Sequence, residues 1–372
     1  MAVSRPRPEL LVVTPPLTIA ASVEDAQPSP LWMVTREPLL DQLVRELQAL
    51  RHQLDADAGT ARELTFSRGG LEAVRWAFAD MIRRGEQQLH RLSELLCDTF
   101  LDSYSMESEV IGEIDSTGER FTLSQPITGA DLYSTTDIDL GNRQLSKLRF
   151  FDGTGWSGAS LVGNVVAYEP GEPNRFHIHR LLSRIKAEEE IWNKVVDEIF
   201  HLDAIVQRDK ELRHLSRYVK DVFGIKIVVG DGDDARNVHK RLRDLVFPDP
   251  LLTRFSVTPD EDTRRLAFIE TKDYLADERF KKSGWKALKS VVRWGGNPYE
   301  IQVQPLRNFL RERERLTLES HTGFRAHREA IRGRVAEQMP LFRFYRDLMR
   351  WLFLTPESAP PRFEGLTLRL RP

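Results

Sequence analysis

The sequence predicts an α/β protein with a mixed β-sheet flanked by helices, preceded by an N-terminal helical segment and a β-rich module. Apolar residues recur at helical spacing before residue 108, short β-branched runs separated by turn residues follow, and helices and strands alternate beyond residue 173. These patterns divide the chain into a disordered leader, a helical segment, a β-rich module, an α/β domain, and a C-terminal helix with a tail, with bounds 1–30, 31–108, 109–172, 173–340 and 341–372.

The charges of the chain nearly cancel, since 54 Lys and Arg residues stand against 56 Asp and Glu residues. Attraction for a polyanion must therefore come from local clusters. The single cysteine, Cys97, excludes an intrachain disulfide and fits a reducing compartment. No stretch is apolar enough to cross a membrane. We therefore expect a cytoplasmic protein without a membrane partner, and the sequence leaves oligomerisation open.

The helical segment begins at Pro38, because proline suits the first turn of a helix. From there to Leu54, and again from Leu71 to Tyr104, apolar residues recur every three or four positions. Between about 110 and 168 the pattern changes to short alternating or β-branched runs, which predict strands.

The turn-forming run Pro170–Asn174 marks the expected start of the α/β domain. Periodicity there predicts a helix, a strand, a second helix, three strands and a long helix, with approximate bounds 180–205, 222–229, 234–245, 264–269, 287–294, 299–304 and 305–336.

The first of these helices contains three cations, Arg184, Lys186 and Lys194. The two lysines are spaced to share one face, so the group could hold a triphosphate. The alternative is a solvated helix whose lysines pair with neighbouring glutamates. The next strand carries Asp221 at its start and Lys226 in its middle. A carboxylate at a strand end is a common Mg²⁺ ligand, and a lysine within so apolar a strand must emerge on a wet or functional face.

Residues 272–290 combine five lysines and one arginine with aromatic side chains. Lys272, Tyr274, Lys281, Trp285 and Lys289 suit a nucleotide, because cations neutralise phosphates and a ring stacks on a base. The alternative is a solvated loop with the tryptophan tucked into the core.

The last strand alternates polar and apolar residues, and Glu300, Gln302 and Gln304 fall on one face by the period of two. Such a row would ordinarily face solvent. If it faces the same cleft as Asp221, Glu300 supplies a second Mg²⁺ ligand or the base for a hydroxyl.

In this order, the blocks resemble the synthetase domain of the RelA/SpoT family, which has a nucleotidyltransferase-like fold. The strand at 221–226 resembles Asp-Leu-x-Gly-Val-Arg, residues 272–276 resemble Lys-Asp-Tyr-Ile-Ala, 300–304 resemble Glu-Val-Gln-Ile-Arg, and 323–327 echo Gly-x-Ala-Ala-His. The helix at 184–194 resembles the family's Arg-Pro-Lys block. The resemblance covers about residues 180–335. In this region the chain is similar to small alarmone synthetases and their toxin relatives.

The resemblance implies a pyrophosphokinase that uses Mg²⁺ to transfer the β,γ-pyrophosphate of ATP to the 3′ hydroxyl of a nucleotide, with GDP or GTP as the leading acceptor. By position, it implies that Asp221 and Glu300 are the catalytic and metal-binding acids. It also implies nucleotide contacts by a larger set: Arg184, Lys186, Lys194, Lys226, Lys272, Tyr274, Lys281, Trp285, Lys289 and Gln302.

Five positions depart from the family pattern: Glu190 replaces serine, Lys226 arginine, Ser283 asparagine, Lys289 histidine and Gln304 arginine. Most of these changes fall on the acceptor side, so two alternatives stay open. One is toxin-like pyrophosphorylation of adenine nucleotides or of the 3′ end of tRNA. The other is a nucleotide-binding regulator without turnover.

Three weaker signals point elsewhere. Gly129-Ala130-Asp131, followed by an Asp-x-Asp at 137–139, resembles the signature of polymerase-β-type nucleotidyltransferases, but alanine stands where serine is usual. His177 and His179 could bind a metal but have no third ligand nearby. Residues 230–234 mimic a calcium loop, and a helix-capping turn explains them.

Overall fold

The computed structural model describes residues 34–56, 62–185, 188–200, 223–275, 285–318, 332–355 and 357–371. The predicted leader, 1–30, lies outside these ranges. The chain divides into two compact units. Unit 1 takes its residues from Met1–Ile82, Glu188–Lys220 and Phe324–Pro372, and unit 2 from Arg83–Ala187 and Asp221–Gly323.

The helices with defined bounds are, in chain order, α1 Pro38–Ala56, α2 Arg68–Phe100, α3 Gly129–Ser134, α4 Asp137–Leu145, α5 Glu188–Ile199, α6 Gly232–Asp244, α7 Asp249–Arg254, α8 Glu261–Arg264, α9 Leu306–Leu318 and α10 Pro340–Phe353. The strands are β1 Arg62–Ser67, β2 Tyr104–Ile114, β3 Arg120–Pro126, β4 Phe150–Phe151, β5 Trp156–Ser157, β6 Ala159–Pro170, β7 Ile178–Ile185, β8 Phe223–Val229, β9 Ala267–Asp273, β10 Leu288–Trp294, β11 Asn297–Pro305 and β12 Leu366–Arg371.

Unit 2 is built on one eight-stranded sheet with the order β3-β2-β6-β7-β8-β11-β10-β9. Every neighbouring pair is antiparallel except β8 and β11, which run parallel. The predicted class, α/β with a mixed sheet flanked by helices, is therefore confirmed. Strands from the predicted β-rich module and from the predicted α/β domain belong to this same sheet.

One sequence prediction was wrong. The helix expected over 180–205 is divided, because β7 occupies Ile178–Ile185 and α5 begins only at Glu188. The apolar residues Leu181 and Leu182 follow one another, so they suit a strand that is buried on both faces. Hydrogen bonding to β6 on one side and β8 on the other places this segment in the middle of the sheet.

Helices cover the central strands of unit 2 on both faces. On one face α9 packs through Phe309 against Ala167, Leu182 and Val228. The opposite face carries the alternate residues of β8, Phe223, Ile225, Ile227 and Val229, and the ring of Phe223 lies against Gly85 of α2. A Cβ atom at Gly85 would lie 2.1 Å from Cζ of Phe223, so only glycine allows this close approach.

Unit 1 has an aromatic core. The Trp192 ring stacks on Phe353 with 3.8 Å between centroids, and Phe78 packs against the same tryptophan at 4.6 Å. A buried ion pair joins Arg332 to Asp197 at 2.9 Å. The strands β1 and β12 of this unit pair in parallel, from Arg62 opposite Leu366 to Ser67 opposite Arg371.

Within the described ranges, no helix has both the length and the apolar character that crossing a bilayer requires.

Candidate functional site

A row of polar side chains crosses four neighbouring strands of the sheet of unit 2, from the edge strand β9 to β8. Lys272 of β9 lies opposite Lys289 of β10, Lys289 lies opposite Gln302 of β11, and Gln302 lies opposite Lys226 of β8. Residues opposite one another in a sheet project from the same face. The register therefore brings four residues singled out from the sequence onto one surface.

A second row lies one step along the same face. Arg184 of β7 is opposite Gly224 of β8, and Gly224 is opposite Glu300 of β11. Gly224 has no side chain, so no side chain of β8 stands between Arg184 and Glu300 at this register position. Arg184 and Glu300 both act on the pKa of Lys226, in opposite directions, which is consistent with their closeness to it.

Glu300 is 2 % exposed and has two polar partners from the same face. The ammonium of Lys289 forms an ion pair with Oε2. The amide of Gln302 donates to Oε1 at 2.5 Å. Within the polar row of β11, Glu300 is thus a buried carboxylate with one oxygen accepting from Gln302 and the other ion-paired with Lys289, as buried charges generally are.

Three donors from separate parts of unit 2 converge on Glu312 of α9. Nζ of Lys226 lies 3.0 Å from each carboxylate oxygen. Nε2 of Gln304 donates to Oε2 at 3.0 Å, and Nε1 of Trp285 donates to the same oxygen at 3.3 Å. Glu312 therefore connects Lys226 of β8 to Trp285, which precedes β10.

The electrostatics of this pair follow from partial burial. Burial raises the pKa of Glu312, but Lys226 and the hydrogen bonds from Gln304, Lys226 and Trp285 outweigh it and leave that pKa below its ordinary value. Burial lowers the pKa of Lys226, and Glu312 opposes that effect only in part. Burial and the ion pair thus act in opposite directions on the pKa of each group.

The aromatic part of the site is a pair of rings. Trp285 is half-buried and packs edge-to-face against Tyr274, with 5.4 Å between the ring centroids. The backbone N–H of Tyr274 donates to the carbonyl of Ala287 at 3.0 Å, next to the end of the pairing between β9 and β10. Trp285 is therefore neither a fully exposed loop residue nor a core residue, and part of its ring is accessible to a ligand.

The structure brings together Arg184, Lys226, Lys289, Glu300 and Gln302. Lys272 lies at the margin of the row and pairs with Glu270 at 2.8 Å. Four further predicted sites lie outside the described part of the chain: Lys186, the side chain of Lys194, Asp221 and Lys281. Their roles stay predictions.

Glu312 was missed by sequence reasoning, although a signal for it exists. Phe309 and Glu312 are three residues apart on α9, so they lie on the same face of the helix. Phe309 packs onto the sheet, and Nζ of Lys226 lies 5.6 Å from the centre of its ring. An acid on the apolar face of a helix is the pattern that points to a buried partner.

The weaker signals have local structural explanations. Asp131 forms a capping box with Thr128, and Asp139 is bonded to the N-cap Thr136. Asp231 caps α6 through a box with Asp234, which confirms the capping interpretation of the calcium-like turn.

The two histidines near the start of β7 have different surroundings. Nδ1 of His177 lies 2.9 Å from a carboxylate oxygen of Asp234. His179 is exposed.

Comparisons with known proteins add a likeness in structure. No family model matches the chain, and no curated protein matches it. One solved structure to which it is similar is that of small alarmone synthetase 1 from Bacillus subtilis, with 18 % identity, a TM-score of 0.21, and coverage of 45 % of this chain and 79 % of that chain. At this level of similarity the likeness carries no argument about activity.

Proposed function

We propose that unit 2 transfers the β,γ-pyrophosphate of ATP to the 3′ hydroxyl of a nucleotide, with GDP or GTP as the acceptor. The observation that carries this proposal is the shared face of the sheet, where Arg184, Lys226 and Lys289 lie around Glu300. The order of sequence blocks that resembles the RelA/SpoT synthetases supports the same reaction.

The three cations suit a polyphosphate. A triphosphate carries several negative charges within a few ångströms, and clustered Lys and Arg side chains neutralise such charge in phosphoryl transfer. Lys226 and Lys289 are held in place by the carboxylates of Glu312 and Glu300, so little side-chain entropy is lost when phosphate oxygens bind.

Glu300 is the acid at the reacting centre. In the proposed reaction the 3′ oxygen of the acceptor bonds to the β-phosphorus of ATP, the bond between that phosphorus and the bridging oxygen of AMP breaks, and AMP leaves. Glu300 accepts the proton of the hydroxyl. Gln302 and Lys289, its two partners, fix the position of the carboxylate.

Mg²⁺ fits the donor chemistry of this site, because carboxylate oxygens beside phosphate oxygens are the ligands that it prefers. Asp221 and Glu300 would hold it. When bound, Mg²⁺ would supply charge neutralisation at the phosphates.

The half-buried ring of Trp285 suits the base of the acceptor. Stacking on an aromatic side chain tolerates any base, since every base has a π-face. This tolerance fits the acceptor-side departures from the family pattern, so discrimination for guanine is expected to be weaker than in alarmone synthetases.

The test is to incubate the full chain and Mg²⁺ with ATP labelled at the γ-phosphate, in separate reactions with GDP, GTP, ADP and tRNA. We expect label on a guanine nucleotide, together with an equal amount of AMP. Glu300→Gln should abolish the product. Glu113→Gln, which changes an exposed strand carboxylate that pairs with Arg120, is the matched control and should leave it unchanged.

Label on tRNA or ADP alone would replace the alarmone acceptor and keep the chemistry. If no acceptor is labelled while ATP still binds, the proposal of catalysis is wrong and the nucleotide-binding regulator takes its place.

A further inference from the structure

Unit 2 contains a buried group of two acids and a histidine outside the proposed catalytic face. Glu86 and His90 lie on α2, and Asp137 is the first residue of α4. They are 3 %, 1 % and 1 % exposed. One ligand atom from each of the three side chains lies within 4.8 Å of the others. No part of the proposed function uses these residues.

Local structure brings the three together. Glu86 and His90 are four residues apart, so they project from one face of α2. The backbone N–H of Asp137 donates to Oε1 of Glu86 at 2.7 Å. The amide of Asn164 donates to the backbone carbonyl of Asp137 at 2.7 Å. The main chain of Asp137 is thus held from two sides.

Only one of the two carboxylate oxygens of Asp137 has a hydrogen-bond partner within the described residues. Its Oδ1 lies 3.1 Å from Nε2 of His90. Its Oδ2 is buried and has no hydrogen-bond partner within the described residues. A buried carboxylate oxygen without a partner is destabilising, and buried charges in proteins are generally paired or bound to metals. This oxygen is the observation that points to a ligand.

The histidine is oriented as a metal ligand would be. Its Nε2 faces Asp137, and its Nδ1 lies 3.4 Å from the hydroxyl of Tyr168, which is itself fully buried. Histidine ligands commonly use their second nitrogen in a hydrogen bond that fixes the ring. Tyr168 belongs to β6, so the sheet itself supports the orientation of the imidazole.

We propose that Glu86, His90 and Asp137 bind a divalent transition metal, with Zn²⁺ as the first choice. Two carboxylates and one imidazole balance a charge of +2, and imidazole favours Zn²⁺ over Mg²⁺. Ligand atoms of a tetrahedral zinc site lie roughly 3.4 Å apart, from bonds of about 2.0–2.1 Å. The 3.1 Å between His90 and Asp137 is close to that spacing.

The burial of all three ligands indicates a structural role. The metal joins the middle of α2 to the start of α4, two elements that are far apart in the sequence. A buried site of this kind contributes to folding, because the unfolded chain has no preformed site. The site is therefore expected to act on stability and not on the transfer reaction.

The experiment uses the full chain, purified without chelators and kept in excess Mg²⁺ so that exposed carboxylates do not bind trace metals. Elemental analysis should find close to one zinc per chain. After removal of the metal, Co²⁺ should produce the visible absorption of a cobalt ion with nitrogen and oxygen ligands, and Zn²⁺ should displace it. The melting temperature should fall on metal removal and rise again on addition of Zn²⁺.

Asp137→Asn keeps the shape of the side chain and removes its charge, so it should abolish cobalt absorption. His239→Asn is the control, since this buried histidine bonds Ser290 at 2.9 Å and lies outside the group. The proposal is wrong if the wild-type chain binds no Co²⁺ or Zn²⁺, or if Asp137→Asn binds either ion as tightly as wild type. The three residues would then be joined by hydrogen bonds alone. The wild-type spectrum and melting shift decide the matter even if Asp137→Asn does not fold.

Discussion

Lys226 and Glu312 form an ion pair in which the ammonium nitrogen lies 3.0 Å from both carboxylate oxygens, although the residues are 86 positions apart. The pair joins β8, one of the two parallel strands, to α9, the helix that packs on it. Both side chains are largely shielded, at 19 % and 29 % exposure. Removal of one partner therefore leaves a poorly solvated charge.

The first prediction concerns this pair. Glu312→Ala should lower the free energy of unfolding by about 2–4 kcal/mol, because it strands the ammonium of Lys226. Lys226→Met in the same chain should restore part of the loss. Denaturant unfolding of the two single variants and the double variant measures the coupling. Simple additivity of the two losses would mean that the pair contributes nothing.

The pH dependence of stability gives a second prediction. The pKa of Glu312 is lower in the folded chain than in the unfolded chain, so its contribution is fully present above the ordinary glutamate pKa and is lost as pH falls through the lower folded value. The stability difference between wild type and Glu312→Gln should be constant from neutral pH down to about 4.3. Below that it should shrink. A difference that grows on acidification contradicts the assignment.

The third prediction addresses Glu300. Glu300→Gln preserves the shape of a side chain that is 2 % exposed, but the ammonium of Lys289 loses its counter-charge, so the melting temperature should fall while the chain stays folded. Pyrophosphate transfer should nevertheless fall by a factor on the order of a hundred or more, because the lost charge acts at the transition state. Activity within about tenfold of wild type would remove Glu300 from the reacting centre.

Trp285 can be tested with two replacements. Trp285→Ala should weaken acceptor binding by about 1–3 kcal/mol through lost stacking and should change ATP binding little. Trp285→Phe keeps a ring and loses only the 3.3 Å bond to Glu312, so it should retain most of the affinity. Trp156→Ala, at a tryptophan that is 72 % exposed, is the control for general effects. Equal acceptor affinities for all three variants would exclude the base-stacking role.

The last prediction concerns Gly85. Gly85→Ala should destabilise the chain by about 1–3 kcal/mol, because the added methyl group meets the ring of Phe223. Gly69→Ala in the same helix has nothing within 4 Å of the added carbon and should be neutral or stabilising. Calorimetry of both variants gives the comparison. Phe223→Leu combined with Gly85→Ala should recover part of the loss.

Sequence patterns predicted the strands of the site well and the helix before them poorly. The strand expected over 222–229 is Phe223–Val229, and the one expected over 299–304 is Asn297–Pro305. The first is an apolar run that ends at a glycine-containing turn, and the second alternates polar and apolar residues after the glycine pair at 295–296. The arginines and leucines of 180–185 fit either period, and pairing with two neighbouring strands makes these residues part of β7 and not of the predicted helix.

The contacts of the site residues could not be predicted from the sequence, for a different reason. The period of two placed Glu300 and Gln302 on one face, but whether that face meets water or a helix depends on tertiary packing. Glu312 and the buried group around Asp137 each combine residues from distant segments. Local spacing reveals that Glu86 and His90 share a helix face, and gives no sign that Asp137 joins them.

The pairing of β1 with β12 has a consequence for how the protein is made. Residues 62–67 are hydrogen-bonded to residues 366–371, so an emerging chain must hold the earlier strand unpaired while some three hundred intervening residues leave the ribosome. All eight strands of the large sheet lie within that interval. Translation order therefore favours completion of the sheet before closure of this distant pair, and a ribosome that stalls before residue 366 would expose the edge of 62–67 to chaperones and to other nascent chains.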